Sequence, residues 1–153
     1  MAIALGSDHA GFALKKLIGE HLEAKGMEVA DFGTFSESSV DYPDIALPLI
    51  AAVAAGDYPL GILVCGTGIG MTIAANKYPG IRAALCGDTF SARCAREHND
   101  ANILTLGARV VGPGLALAIV DAFLESSFQG GRHQRRLEKI AFIERGGRIS
   151  TSP

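Results

Sequence analysis

The sequence predicts a three-layer α/β protein with a parallel sheet of five strands at its centre. Five short apolar runs, free of internal proline, alternate along the chain with longer segments of helical periodicity. The runs mostly lack polar alternation, as expected of strands that helices cover on both faces. A length of 153 residues fits one such domain and leaves little room for a second.

The predicted elements follow from these patterns in chain order. The strands are the apolar runs at residues 2–5, 27–32, 60–65, 81–86 and 102–106. The helices are bounded by glycine, proline or polar residues and span residues 10–25, 43–55, 69–77, 89–98, 114–127 and 132–144. Residues 1–145 are expected to form the single domain, followed by a mobile polar tail at 146–153.

The order of the strands predicts where a ligand binds. Right-handed crossovers favour the order 2-1-3-4-5, which places the ends of strands 1 and 3 side by side. Open sheets bind ligands beyond the carboxyl ends of the strands, at the point where the strand order reverses. Function is therefore expected near Asp8, His9 and Cys65, which lie at those two strand ends.

Composition excludes several classes of protein. Fourteen basic against sixteen acidic residues give a net charge of −2, so no overall positive field attracts nucleic acid or a membrane surface. The longest apolar stretch, 45–55, contains Pro48 and is too short to span a bilayer. Three cysteines without a C-x-x-C pair argue against both disulfides and structural zinc, and they suit the cytoplasm.

A glycine-rich turn, residues 65–70 (CGTGIG), links the third strand to the next helix. Several backbone N–H groups meet there, which favours negative charge. Thiols at helix starts are often partly ionised, so Cys65 is a candidate base or nucleophile. A tight connection with a buried, inert cysteine explains the spacing equally well. The turn lacks the G-x-G-x-x-G spacing of dinucleotide sites, and none is expected.

Two further groups of residues carry potential chemistry. Three arginines and a histidine, Arg132, His133, Arg135 and Arg136, open the last helix, where the helix dipole disfavours each cation by about 0.3–1 kcal/mol. A solvated basic face or a bound phosphate accounts for them, and Arg132 and Arg136 share one side. His98 ends a helix, which is favourable in itself, or it acts as an acid or base.

Separated segments of the chain together resemble the family of ribose-5-phosphate isomerase B and the galactose-6-phosphate isomerase subunits. The resemblance extends from residue 3 to 143 and rests on segments 6–11 (GSDHAG), 41–43 (DYP), 65–70 (CGTGIG), 74–77 (AANK), 80–83 (GIRA), 98–102 (HNDAN), 107–112 (GARVVG) and 131–133 (GRH). It implies a Rossmann-like single domain and a cofactor-free, metal-free isomerisation of ribose 5-phosphate and ribulose 5-phosphate through a cis-enediolate.

The resemblance also implies roles for individual residues. Cys65 is the expected base and Thr67 moves protons between the two oxygens, while His98 and Asp8 open the furanose ring. Asn99 and Tyr42 contact the sugar. The enediolate oxygen is held by N–H groups of the turn, at Gly66, Gly68, Ile69 and Gly70. The phosphate is surrounded by His9, Arg109, Arg132, His133 and Arg136.

A homodimer with shared sites is implied as well, with the C-terminal helix packed on the neighbouring subunit and with pairing into a tetramer left open. Two alternatives to the pentose reaction stay open. One is the isomerisation of a six-carbon phosphosugar such as allose or galactose 6-phosphate, because the wider family includes both. The other is a phosphosugar-binding module without catalysis, because a fold does not fix a function.

Overall fold

The computed structural model describes residues 2–148 and confirms the α/β fold with a central parallel sheet. Its strands are β1 (Ala2–Ser7), β2 (Glu28–Asp31), β3 (Leu60–Cys65), β4 (Ala83–Leu85) and β5 (Ile103–Gly107). Its helices are α1 (Phe12–Ala24), α2 (Tyr42–Ala55), α3 (Ile69–Ala75), α4 (Thr89–Glu97), α5 (Pro113–Leu124) and α6 (Arg132–Glu144). The predicted mobile tail begins at Gly146, and its residues 149–153 lie outside the described residues.

The strand order is β2-β1-β3-β5-β4, so the predicted order 2-1-3-4-5 is wrong at one end. β5 has five buried residues, whereas β4 has three residues and its Leu85 is 42% exposed. The longer, more apolar strand takes the interior position because an interior strand is covered on both faces. The ends of β1 and β3 are neighbours as predicted, with Ser7 paired to Val64.

Two apolar layers cover the sheet. One joins the sheet to α1, α4 and α5 and includes Ile18, Ala92 and Phe123, while the other joins it to α2 and α3 through Leu49 and Met71. Most side chains of these layers are fully buried. Burial of each large aliphatic or aromatic side chain stabilises the fold by about 1.5–3 kcal/mol. The sheet is therefore a rigid platform whose carboxyl edge positions the loops.

The last helix, α6, begins and ends at the predicted residues but packs loosely on its own chain. His133 is its one buried residue, and Ile140, Phe142 and Ile143 are between 42% and 55% exposed. Near its end, the Glu144 side chain accepts a 3.1 Å hydrogen bond from the Gly80 N–H. The predicted packing of this helix on a second subunit stays a prediction. Within residues 2–148, no helix is long and apolar enough to cross a membrane.

Candidate active site

Cys65 ends β3, and its side chain is enclosed by the turn that follows. Only 5% of the residue is exposed. The Gly68 N–H donates a 3.1 Å hydrogen bond to its Sγ atom. Its carbonyl accepts a 2.8 Å bond from the Ala108 N–H, and the next carbonyl, at Gly66, accepts one from the Arg109 N–H. The sulfur is therefore held in a fixed position with a backbone donor directed at it.

Glycine is required at two places around this turn. Gly68 adopts a left-handed backbone with φ +79°, and a Cβ atom there would lie 2.5 Å from a methyl group of Leu85. A Cβ atom on Gly107 would lie 2.6 Å from the Thr67 carbonyl oxygen. Thr67 itself is exposed, and its Oγ1 accepts a 3.3 Å bond from the Ile69 N–H. The close approach of β5 thus shapes the turn and leaves the Thr67 side chain outside.

Asp8 and His9 follow β1 and lie beside the turn. The Asp8 N–H donates to the Val64 carbonyl over 3.1 Å, next to Cys65, and its buried carboxylate accepts a 3.0 Å bond from the Gly11 N–H. His9 Nδ1 accepts a 3.2 Å bond from the Val40 N–H. The neutral ring of His9 therefore carries its proton on Nε2, which is available as a donor to an anion.

Tyr42 and Arg109 complete the rim of the turn. Tyr42 opens α2, and its ring lies against Gly70, where a Cβ atom would come within 2.6 Å of Cζ. The Arg109 side chain lies over Gly66, with Nη1 3.5 Å from the position of a Cβ atom there. The carboxyl edge of the sheet therefore brings together the predicted residues Asp8, His9, Tyr42, the 65–70 turn and Arg109.

A buried lysine, which the sequence reasoning missed, anchors the loop leading to Tyr42. Lys15 is 1% exposed, and its Nζ lies 2.6 Å from both oxygens of Asp31 and 2.8 Å from the Thr34 carbonyl. The Thr34 N–H also donates to the Ser7 carbonyl over 2.7 Å. The signal was present, because Lys15 lies three residues before the buried Ile18 on the inner face of α1.

A second group of predicted residues lies around the end of α4. The rings of His98 and His133 stack almost in parallel, with centroids 4.3 Å apart and planes 10° apart. Burial lowers the pKa of His133 below its ordinary value, and the charges of His98, Arg132 and Arg136 lower it further. Asn99 follows, and its carbonyl accepts a 3.2 Å bond from Arg82 Nε.

The two groups lie at opposite edges of the sheet. Residues 98–102 lead into β5, whose first residue, Ile103, pairs with Gly61, while its last residue, Gly107, pairs with Cys65. The strand between them is about 13 Å long. His98 and Asn99 therefore lie away from Cys65 of the same chain. The same holds for the residues at the start of α6, which lie beside His98: Arg132, His133 and Arg136.

A groove of about 600 Å³ lies beside this second group. Its lining includes Arg82, Asn99 and the α6 residues Leu137 and Ile140, and it does not include Cys65 or Thr67. Within the described part of the chain, no three His, Cys, Asp or Glu side chains are grouped to hold a metal ion.

Comparison with known proteins identifies the family. Residues 3–140 match the family described as Ribose/Galactose Isomerase. Ribose-5-phosphate isomerase B of Escherichia coli (strain K12) is 53% identical over 142 residues, covering 93% of this chain and 95% of that protein. D-erythrulose-4-phosphate isomerase of Pectobacterium atrosepticum is 47% identical over 146 residues, covering 94% and 95%.

A solved structure agrees with these relatives. Ribose-5-phosphate isomerase B of Clostridium thermocellum superimposes with a TM-score of 0.94 at 56% identity, covering 95% of this chain and 99% of that one. The chain therefore belongs to the ribose/galactose isomerase family, as the resemblance of its motifs implied.

Proposed function

We propose that the chain interconverts ribose 5-phosphate and ribulose 5-phosphate by moving a proton between C1 and C2 through a cis-enediolate. The observation that carries the proposal is the Gly68 N–H directed at the Cys65 sulfur, in a turn rimmed by polar side chains. The names of the relatives from Escherichia coli and Clostridium thermocellum support both the reaction and the sugar.

Cys65 is the proposed base, and the turn supplies the stabilisation that its reaction needs. Removing a proton next to a carbonyl leaves negative charge on oxygen, and one preorganised donor there contributes about 3–4 kcal/mol. A positioned base adds roughly 10²–10⁴ in rate. The Gly68 and Ile69 N–H groups bond to Cys65 Sγ and Thr67 Oγ1, so the N–H groups of Gly66 and Gly70 are the proposed donors for the enediolate oxygen. The exposed Thr67 hydroxyl moves a proton between O1 and O2.

Ring opening precedes this step, because the sugar exists mainly as a closed furanose. Asp8, beside Cys65, and His98, at the other edge of the sheet, are the proposed acid and base for it. Tyr42 and Asn99 contact the sugar hydroxyls from the same two edges. His98 and Asn99 can reach a sugar held at Cys65 only from another chain.

A homodimer with shared sites is therefore part of the proposal. His9 and Arg109 bind the phosphate from one chain, and Arg132, His133 and Arg136 bind it from the partner. Support comes from α3, beside the turn, where Ile69 and Ile73 lie one turn apart and are 52% and 57% exposed. A second copy of the chain covers this apolar face and brings its basic helix start to the site.

A free thiol at position 65 requires a reducing compartment, and we place the protein in the cytoplasm. Cys65, Cys86 and Cys94 are all unpaired. Burial raises the pKa of the Cys86 thiol to about 11, so this cysteine stays protonated and unreactive at neutral pH. Cys94 is half-buried and provides an internal comparison for Cys65.

The number of carbons in the preferred sugar is a separate question, because the relative from Pectobacterium atrosepticum is named for a four-carbon substrate. The phosphate contacts come from residues on two chains, so the distance between this grip and Cys65 sets the preferred length. Comparing kcat/KM for ribose 5-phosphate, erythrulose 4-phosphate and allose 6-phosphate decides among them. A higher value for either of the other two sugars would replace ribose 5-phosphate in the proposal.

The first test is an assay of ketose formation from ribose 5-phosphate, with excess chelator, for wild type and Cys65→Ala. We expect metal-independent turnover in wild type and a loss of roughly 10²–10⁴ in kcat for the variant, which still binds substrate. Cys94→Ala is the matched control, since it removes a thiol away from the turn, and it should retain wild-type kcat. Comparable activity in Cys65→Ala would remove this residue as the base.

A further inference from the structure

We infer that the hydroxyl groups of Thr72 and Thr105 form a positioning pair that aligns the Cys65 turn for proton transfer. The inference rests on the proposed function of Cys65 as the base. Thr72 lies on α3 and is half-buried, and Thr105 lies on β5 and is fully buried. Their Oγ1 atoms are 2.5 Å apart, which joins α3 to the sheet beneath the turn.

The protons in this pair have one arrangement. Thr72 Oγ1 lies 2.7 Å from the Gly68 carbonyl oxygen, which can only accept a hydrogen bond. The single proton of Thr72 therefore goes to Gly68, and Thr105 must donate its proton to Thr72. A directed chain of hydrogen bonds extends from the core of β5 to the backbone of the turn.

Gly68 also contacts the two side chains proposed to move protons, Cys65 and Thr67. Its own N–H donates to Cys65 Sγ over 3.1 Å. Its carbonyl belongs to the same peptide group as the Ile69 N–H, which donates to Thr67 Oγ1 over 3.3 Å. Fixing the carbonyl therefore orients the peptide that contacts Thr67, and it fixes the residue whose N–H is aimed at the sulfur.

Hydrogen bonding within α3 alone does not explain the hydroxyl of Thr105. Threonines in helices often bond to the carbonyl four residues earlier, so the Thr72–Gly68 bond alone is ordinary. Thr105, however, is paired in the sheet with Leu63 and Leu85, in a layer where valine would fit without a polar group. Burying a hydroxyl there is unfavourable unless it is hydrogen-bonded.

The turn also needs an external constraint. Gly68 has no side chain to restrict its left-handed conformation, and glycine is the most flexible residue in the backbone. α3 has only seven residues, so few hydrogen bonds of its own hold its first turn. The two hydroxyls supply the missing restraint from the rigid centre of the sheet.

The test compares Thr72→Val and Thr105→Val, which keep the side-chain shape and remove the hydroxyl. We expect kcat to fall roughly tenfold in each, with KM nearly unchanged, because the sugar still binds but the base is misaligned. Thr72→Ser restores the hydroxyl and should retain wild-type kcat. Thr89→Val is the matched control, since Thr89 is an exposed threonine at the start of α4.

A second measurement does not depend on turnover. Hydrogen exchange of the Gly68 and Ile69 amides is measured by NMR in wild type and in each variant. Both valine variants should exchange these two N–H groups faster than wild type, because the turn is less well held, whereas Thr72→Ser should match wild type. If wild type turns over no sugar phosphate, the proposed function fails, and this exchange measurement still decides the role of the pair.

Three results would overturn the inference. The first is wild-type amide exchange at Gly68 and Ile69 together with wild-type kcat in both valine variants, and the second is a Thr72→Ser protein that behaves like Thr72→Val. The third is a fall in kcat of the same size in Thr89→Val. If Thr72→Val does not fold, Thr105→Val and Thr72→Ser decide the question by the same measurements.

Discussion

The two edges of the sheet hold their halves of the candidate site in different ways. At the carboxyl edge, Cys65 is fixed by backbone hydrogen bonds within short, glycine-containing turns. At the amino edge, His98 and His133 are helix-end side chains held by ring stacking. The first half depends on main-chain geometry and the second on side-chain packing and charge. Substitution of Cys65 at the first edge is therefore expected to affect rate, and substitution of Arg132 or Arg136 at the second is expected to affect substrate affinity.

The distribution of charge follows the same division. The carboxyl edge gathers neutral donors around one sulfur, which suits a proton transfer that creates an oxyanion. The amino edge gathers Arg132 and Arg136 on one face of the first turn of α6, where the helix dipole opposes them. A phosphate from a sugar bound to another chain would compensate these cations. The carboxyl edge thus supplies the base, and the amino edge adds further cations to Arg109 for the phosphate.

The largest expected effect tests whether two chains share one site. Cys65→Ala is defective at the carboxyl edge, and the double variant Arg132→Ala/Arg136→Ala is defective at the amino edge. Refolded together, half of the dimers are mixed, and each mixed dimer holds one intact site of two. Ketose formation is measured at a substrate concentration well below the wild-type KM, where both parents are nearly inactive, and we expect activity to rise to about a quarter of wild type.

A same-edge mixture is the control for this experiment. In mixed dimers of Cys65→Ala and Asp8→Asn, every site has one defective carboxyl edge, so activity should stay near the level of the parents. Recovery in this mixture would show that refolding, not site sharing, restores activity. A failure of the opposite-edge mixture to recover, with mixed dimers present, would contradict a shared site.

The fold could be predicted well because its signals are local. All five strands and six helices of residues 2–148 were predicted, and the bounds of α6 coincide with Arg132–Glu144. The order of β4 and β5 was wrong because crossover rules do not say which strand is covered on both sides. The lengths of the apolar runs do not say so either, because the run at 81–86 is no shorter than the run at 102–106, and β4 is limited to Ala83–Leu85 only in the folded chain.

The parts of the candidate site that have local sequence signals could also be predicted, and the parts that depend on distant contacts could not. The turn around Cys65 was predicted because glycines and a strand end are visible in the sequence. The stacking of His133 on His98 was not predicted, because it joins residues 35 positions apart across two helices. The Thr72–Thr105 contact also escaped, since a threonine in a strand gives no sign of its partner.

Substitutions of the arginines of α6 test the difference between the two edges, with an expected effect on KM of intermediate size. Arg136→Ala removes a proposed phosphate contact and should raise KM roughly tenfold with a smaller change in kcat, as expected for a lost charge-assisted hydrogen bond. Arg135→Ala is the matched control, because Arg135 lies one position away on another side of the helix. Steady-state kinetics measure both variants. Equal changes in KM would mean that general positive charge, not a directed contact, is what matters.

The smallest expected effect concerns acid stability at the amino edge. The pKa of His133 is lowered in the folded chain, first by burial and then by His98, Arg132 and Arg136. The unfolded chain therefore binds a proton more readily, and the free energy of unfolding falls as pH drops through the ordinary histidine value of about 6.5. Above that value the contribution of the neutral ring is fully present.

His133→Phe keeps a flat ring against His98 and cannot take up the proton. Denaturant unfolding at about pH 7.5 and about pH 5.5 should show a smaller acid loss of stability in this variant than in wild type. Arg136→Ala, which removes one of the repelling charges, should also reduce the acid loss, by less than His133→Phe does. An equal loss in wild type and His133→Phe would mean that His133 takes up its proton as readily when folded as when unfolded. The loss of stability in acid would then come from groups other than His133.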